Sequence, residues 1–311
     1  MKHDLLMTGP MYPPTVADLE KTYTVHKLWT APDKEGLVAS VADRITAVAS
    51  SNSGGIKGDL MAKLPKVKTI AHFGVGYDTV DVEAAKARGI AVTNTPDVLT
   101  EEVADLTLGL LLATIRRIPQ GDKYVRDGKW LKGAMPLTAS LQGRTVGIIG
   151  MGRIGRAIAK RVAAFGVKLA YQGPNKKADL EMPWFADPVA LAKECSVLIA
   201  ACPGGDATKG LVSRAVIEAL GPDGFIVNIS RGSVVDEGAL LEALQANRIA
   251  GAGLDVFADE PRVPEAFITL ENVVLQPHVA SATHPTRKAM GQLVIDNLAA
   301  HFAGKPLLTQ V

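Results

Sequence analysis

Along the chain, short apolar runs separate longer stretches in which apolar residues recur every three or four positions. The runs Asp4–Met7, Thr24–Leu28, Ile45–Ser50, Thr69–Phe73 and Ile90–Thr93 read as strands. A helical pattern at Val82–Arg88 lies between the last two and is closed by Gly89, in the position of a helix C-terminal glycine. A second series follows at Thr145–Ile149, Val167–Tyr171, Val197–Ala201, Phe225–Ile229, Gly251–Val256 and Val273–Gln276. These runs are rich in Val, Ile, Leu and Ala and lack polar alternation. That pattern predicts strands buried on both faces, as in parallel sheets covered by helices. Strand and helix in alternation predict an α/β fold.

Two long helical patterns mark the joints. Thr100–Ile118 opens with TEEV, a threonine cap with carboxylates in the first turn, and Thr286–Phe302 ends before Gly304 and Pro306. They place one domain at residues 99–281, inserted into another made from 1–98 plus 282–311. A single large doubly wound domain is the alternative that the pattern leaves open. A length of 311 residues, at roughly 150 per domain, agrees with two.

Composition narrows the class. With 47% hydrophobic and 21% charged residues the chain is an ordinary globular one, not a disordered one. A formal charge of +2 is too balanced for a dedicated phosphate-backbone binder, so no nucleic-acid partner is expected. The basic, aromatic stretch Asp122–Lys132 is too short to change that. Cys195 and Cys202 cannot make a disulfide scaffold and read as packing residues. No run reaches the roughly 18 apolar residues of a membrane span, and MKHDLLMTGP lacks the apolar core of a secretory signal. A cytoplasmic protein is expected. Scattered His and Asp show no metal-ligand spacing, so no metal is expected.

Chemistry enters at GMGRIG, which follows the strand TVGII and precedes the helical run RAIAKRVAAF. Here Gly150 allows a tight turn, Gly152 lets the backbone approach a pyrophosphate, and Gly155 lets helix and strand pack closely. The free N–H groups and helix dipole then face phosphate, which makes Gly150, Gly152, Arg153, Ile154 and Gly155 candidate dinucleotide contacts. At the end of the next strand an acidic residue would bind the ribose 2′-hydroxyl of NAD. Instead the chain reads YQGPNKK, with Gly173 in that position and no Asp or Glu between Gly155 and Asp179. Pro174, Asn175 and Lys176 are the candidates there. Neutral-to-basic character favours NADPH over NADH, with NADH still usable.

Three polar residues stand at strand ends of the second series: Arg231 after FIVNIS, Glu260 after LDVFAD and His278 after VVLQP. Arginine offers a planar fork matching a carboxylate. A carboxylate beside an imidazole favours its protonated form, which can donate a proton. Beside a nicotinamide, the three suit reduction of a 2-oxo acid. Each also has a plain reading: a turn at Glu260–Pro261, a surface cation at Arg231, a satisfied loop histidine at His278.

Over nearly its whole length the chain resembles the D-2-hydroxyacid dehydrogenase family, particularly its glyoxylate/hydroxypyruvate and hydroxyphenylpyruvate reductase branch. The segments HFGVGYDTVD, VTNTPDVLTEEVADLTLGLLL, GIIGMGRIG, NISRGSVVDEGAL, GAGLDVFADEP and VVLQPHVASAT carry the resemblance, in the family's order. It implies two doubly wound parallel-sheet domains, a Rossmann-type nucleotide domain inserted into a flavodoxin-like substrate domain. It implies that Arg231 binds the substrate carboxylate and carbonyl oxygen, that His278 donates the proton and that Glu260 is its partner. It sets Asp255 and the Ile229 backbone beside the nicotinamide, and the N–H groups of Val75 and Gly76 on the substrate carboxylate. It also implies a homodimer in which Trp130 reaches the partner's substrate pocket. NADP-using relatives tend to carry an Arg within the segment that reads GPNKK here, so Asn175 or Lys176 is assigned the 2′-phosphate.

The reaction implied is NADPH-dependent reduction of glyoxylate or hydroxypyruvate to the D-2-hydroxy acid. An aryl-pyruvate reductase is the alternative enzyme, and a nucleotide-sensing binding protein or corepressor the alternative class. A formate dehydrogenase is disfavoured because those relatives carry Gln where Glu260 stands.

Overall fold

The computed structural model describes residues 2–311. The chain divides into two compact units, Met1–Leu99 with Ser281–Val311, and Thr100–Ala280. Leu99 and Ser281 thus group with the first unit, one residue from the boundaries the pattern suggests at each joint.

The first unit holds a five-stranded sheet of β1 (Asp4–Met7), β2 (Thr24–Lys27), β3 (Ala47–Ser51), β4 (Thr69–Phe73) and β5 (Ala91–Thr93). Its order is β2-β1-β3-β4-β5 and every pair is parallel. β3 and β4 are buried at every position, which explains why, His72 apart, they hold only apolar or small side chains. Leu6, Val48, Ile70 and Val92 pack with Val38, Ile56 and Met61 into one core.

The second unit holds β6 (Thr145–Ile149), β7 (Lys168–Gln172), β8 (Trp184–Phe185), β9 (Val197–Ala200), β10 (Phe225–Asn228), β11 (Gly251–Leu254) and β12 (Val273–Leu275). The order is β12-β11-β10-β9-β6-β7-β8, again all parallel. This is the Rossmann arrangement with an added strand, and the order reverses between β6 and β9. Ligands of such sheets bind beyond the strand ends at that reversal. In the first unit the corresponding reversal lies between β1 and β3.

Three local differences from the sequence reading have simple causes. The helix expected over Thr100–Ile118 ends at Ile115, and a new one spans Ile118–Arg126. Pro119 cannot sit inside a helix, so the chain breaks through Arg117 at φ 51° and restarts with proline in its first turn. The last helix begins at His284, not Thr286, because Thr283 caps it through Thr286 N–H and Pro285 fits its start. The two-residue strand β8 is too short to leave a periodic signal. Among the described residues no helix is long and apolar enough to cross a membrane.

Candidate active site

β12, β11 and β10 lie side by side, so their C-terminal ends form one edge, and Arg231, Glu260 and His278 all follow those ends. His278 Nδ1 is 2.7 Å from Glu260 Oε2, while Glu260 Oε1 accepts from Phe257 N–H at 3.1 Å. The His278 and Glu260 side chains remain 30% and 34% exposed, so the pair can still meet a ligand. Burial pushes the Glu260 carboxyl upward. The hydrogen bond and charge of His278, the Phe257 N–H and the nearby charge of Arg231 outweigh it, and Glu260 sits below the ordinary carboxylate value. Its carboxylate therefore stays ionised beside the imidazole and orients it.

Close backbone contact brings the Arg231 turn to this pair. A Cβ on Gly232 would lie 1.9 Å from the Phe257 carbonyl carbon, so only glycine allows the two loops to touch. Asn228 fixes the turn from below, its Nδ2 donating to Arg231 O at 2.9 Å and its Oδ1 accepting from Ser230 N–H at 3.0 Å. Ser230 Oγ accepts from Arg231 N–H at 2.6 Å. The guanidinium donates through Nη1 to Ser230 O at 2.8 Å.

Asp255 braces the turn that carries the histidine. It is fully buried, and its two oxygens accept from Val279 N–H at 2.7 Å and Ala280 N–H at 3.0 Å. Its main-chain carbonyl accepts from His278 N–H at 2.8 Å. Burial raises its pKa, against the two N–H bonds and the charge of His278. These bonds hold His278 at φ 53°, a left-handed conformation that a non-glycine residue adopts only under constraint. The resemblance assigns Asp255 to the nicotinamide and does not single out Asn228; in the structure both brace neighbouring turns through backbone groups. Their signal is a polar side chain at the end of a strand that is otherwise apolar and fully buried.

The glycine loop has the shape expected of a dinucleotide cradle. Gly150 stands at φ 97°, and a Cβ there would meet Cys202 N at 2.5 Å. A Cβ on Gly155 would meet Gly150 O at 2.1 Å, whereas one on Gly152 would meet nothing within 4 Å. Gly152 thus leaves open space directly before the helix Arg153–Ala163, whose first turn carries no acidic residue. Open space, a helix N-terminus and absence of negative charge fit a pyrophosphate. Ile229 is buried directly after β10, its N–H donating to Ala200 O of β9 at 3.3 Å.

Beyond β7 the loop is tied down at both ends. Trp184 Nε1 donates to Gly173 O at 3.0 Å, and Lys177 N–H donates to Tyr171 Oη at 2.7 Å. Pro174, Asn175 and Lys176 lie exposed between these ties. The next carboxylate, Asp179, is held by Arg156 in a two-pronged pair at 2.6 and 3.1 Å.

Val75 and Gly76 belong to the first unit, where they form a turn after β4. Cys195 is buried and its thiol is pushed up to about 12 by that burial; burial raises Cys202 too, so neither is a reactive thiolate. Among the described residues no group of three or more His, Cys, Asp or Glu side chains could hold a metal ion.

Comparison with known proteins gives this geometry a family. The model of the D-isomer specific 2-hydroxyacid dehydrogenase NAD-binding domain matches residues 108–280. Glyoxylate/hydroxypyruvate reductase A of Arabidopsis thaliana is 47% identical over 307 residues, covering 99% of this chain and 98% of the relative. Hydroxyphenylpyruvate reductase of Plectranthus scutellarioides is 46% identical with the same coverage. Among solved structures, the NADPH-dependent glyoxylate/hydroxypyruvate reductase of Sinorhizobium meliloti, in complex with NADP and malonate, superposes with a TM-score of 0.93. It is 45% identical, covering 100% of this chain and 97% of that one. With a glycine loop after β6 and an arginine, a glutamate and a histidine beyond adjacent strand ends, the chain belongs to the D-isomer-specific 2-hydroxyacid dehydrogenases, a family of nicotinamide-dependent oxidoreductases.

Proposed function

We propose that this chain reduces glyoxylate and hydroxypyruvate to the D-2-hydroxy acids, using NADPH and with His278 as proton donor. The observation that carries the reading is the His278–Glu260 pair at 2.7 Å, with the charge of Arg231 close enough to depress Glu260. Gly150, Gly152, Arg153, Ile154 and Gly155 would hold the dinucleotide, with the Ile229 backbone beside its nicotinamide end. When bound, the reduced nicotinamide supplies a hydride to the carbonyl carbon. His278 gives its proton to the carbonyl oxygen as negative charge grows there, and Glu260 stabilises the charged imidazole. Arg231 lies on the same oxygen and on the substrate carboxylate, where a fixed cation favours the developing charge. The N–H groups of Val75 and Gly76 bind that carboxylate as well. Asp255 we assign chiefly to bracing the His278 turn, since both its oxygens are engaged there.

NADPH preference is supported by the missing acid at Gly173 and by Asp179, whose carboxylate is committed to Arg156. Asn175 and Lys176 are proposed to meet the 2′-phosphate. A higher kcat/KM with NADPH than with NADH, reduced by Lys176→Ala, is the expected result; equal values would remove the assignment.

An aryl-pyruvate substrate is the second reading, favoured by the hydroxyphenylpyruvate reductase at 46% identity. Comparing kcat/KM for hydroxypyruvate and phenylpyruvate separates the two. A second copy of the chain is proposed to cover Ile118, Val125, Trp130, Leu131 and Leu137, which stand 56–99% exposed in one segment. Trp130 would then reach the partner's substrate pocket. The two buried, free cysteines suit the reducing cytoplasm.

A further inference from the structure

The turn after β4 is held by its carbonyls, one after another. Gly74 O accepts from Thr95 N–H at 3.0 Å, Val75 O from Asn94 Nδ2 at 3.0 Å, and Gly76 O from His72 Nε2 at 3.0 Å. In a trans peptide the carbonyl of one residue and the N–H of the next point in opposite directions across one rigid plane. Pinning Gly74 O therefore aims the Val75 N–H, and pinning Val75 O aims the Gly76 N–H.

The pins are themselves anchored. His72 is fully buried; Nε2 faces two acceptors, Gly76 O and Asn52 Oδ1 at 3.1 Å, so it carries the hydrogen. Its Nδ1 meets Ser50 Oγ at 2.9 Å. Gly74 lies so close to this ring that a Cβ would approach Nε2 to 2.9 Å. Asn94 is 9% exposed and is gripped by the C-terminal tail. Its carbonyl accepts from Thr309 Oγ1 at 2.6 Å, and its N–H donates to Thr309 O at 3.2 Å. Thr309 Oγ1 in turn accepts from Asn297 Nδ2 at 3.0 Å, and Val311 N–H donates to Val92 O at 2.9 Å.

We infer that Asn94, braced by Thr309 of the C-terminal tail, is a positioning residue that sets the Gly76 N–H for the substrate carboxylate. This rests on the assignment of the Val75–Gly76 turn to that carboxylate. Asn94 touches no substrate; it acts through one peptide plane. The tail, far away in sequence, is thereby part of the substrate-binding apparatus.

The test is steady-state kinetics with hydroxypyruvate and NADPH on the full-length protein. Asn94→Asp keeps the size of the side chain and removes its donor. The expected result is a rise of about ten-fold in KM for hydroxypyruvate, the loss of one well-aligned bond to an ionised group. kcat and the KM for NADPH should change little, the signature of lost ground-state binding. Thr309→Val, which keeps the volume and deletes the hydroxyl bond to Asn94 while leaving the backbone bond, should raise KM less and in the same direction. It decides the matter if Asn94→Asp does not fold. A purely structural role would lower Tm while leaving the KM of the folded enzyme unmoved, and would overturn the inference. Arg231→Lys serves as the reference. If it raises KM while the Asn94 and Thr309 variants do not, the inference falls and the carboxylate site stands. If none of the three moves KM, the site assignment falls as well.

Discussion

His278 owes its position to backbone bonds as much as to its own side chain. Asp255 takes the N–H groups of Val279 and Ala280, and its carbonyl takes that of His278, which together hold a histidine in the left-handed region. The ring then meets Glu260, and the proposed chemistry depends on that meeting. Replacing His278 by Gln should lower kcat by about 10²–10⁴-fold, the usual worth of a positioned acid, while NADPH binding measured by fluorescence titration persists. Arg231→Lys keeps a positive charge but loses the fork, so KM for the 2-oxo acid should rise by roughly ten-fold or more. Normal kinetics in that variant would contradict the anchoring role. Arg231, Glu260 and His278 could be singled out in the sequence because each lies just beyond a strand-like run; their proposed roles came from the resemblance. Their braces were harder to see: Asp255 entered only through the resemblance, as a nicotinamide contact, and Asn228 not at all. Asn228 and Asp255 act on backbone groups of neighbouring turns, and Gly232 matters because Phe257 lies against it, a contact between segments distant in sequence.

At the scale of elements, two parallel sheets could be read because strands buried on both faces leave uninterrupted apolar runs. Helix ends were less visible, since Pro119 and Thr283 move them by local bonding that a periodic pattern does not contain. The doubly wound topology was implied by the family's motifs and not by periodicity, and the order of strands within each sheet is seen only in the structure. One element carries a pH dependence that the sequence did not suggest. His301, near the end of the helix His284–Phe302, bonds Thr69 Oγ1 through Nδ1 at 2.9 Å and lies 3.2 Å from Thr46 Oγ1 through Nε2. Burial, with a smaller contribution from the charge of His3, lowers its pKa below 6.5. The unfolded chain then binds the proton more readily than the folded one. Stability should fall as pH drops below about 6.5 and level off above it. Tm measured at about pH 5.5 and 7.5 should differ less in His301→Gln than in the parent; an equal difference would assign the dependence elsewhere.

For the whole molecule, the exposed apolar segment from Ile118 to Leu137 should be covered in solution. Leu131 is 94% exposed, and Leu131→Asp is expected to shift sedimentation from a dimer towards a monomer. A parent protein that sediments as a monomer would remove the second copy from the account. The central claim concerns chemistry, however, and one assay reaches it directly. Consumption of NADPH is followed with glyoxylate and with hydroxypyruvate, for the parent and for His278→Gln side by side. The account expects rapid turnover of both acids by the parent and a loss of at least about a hundred-fold in the variant. A parent that consumes no NADPH with any 2-oxo acid, or a variant that turns over as fast as the parent, would contradict it.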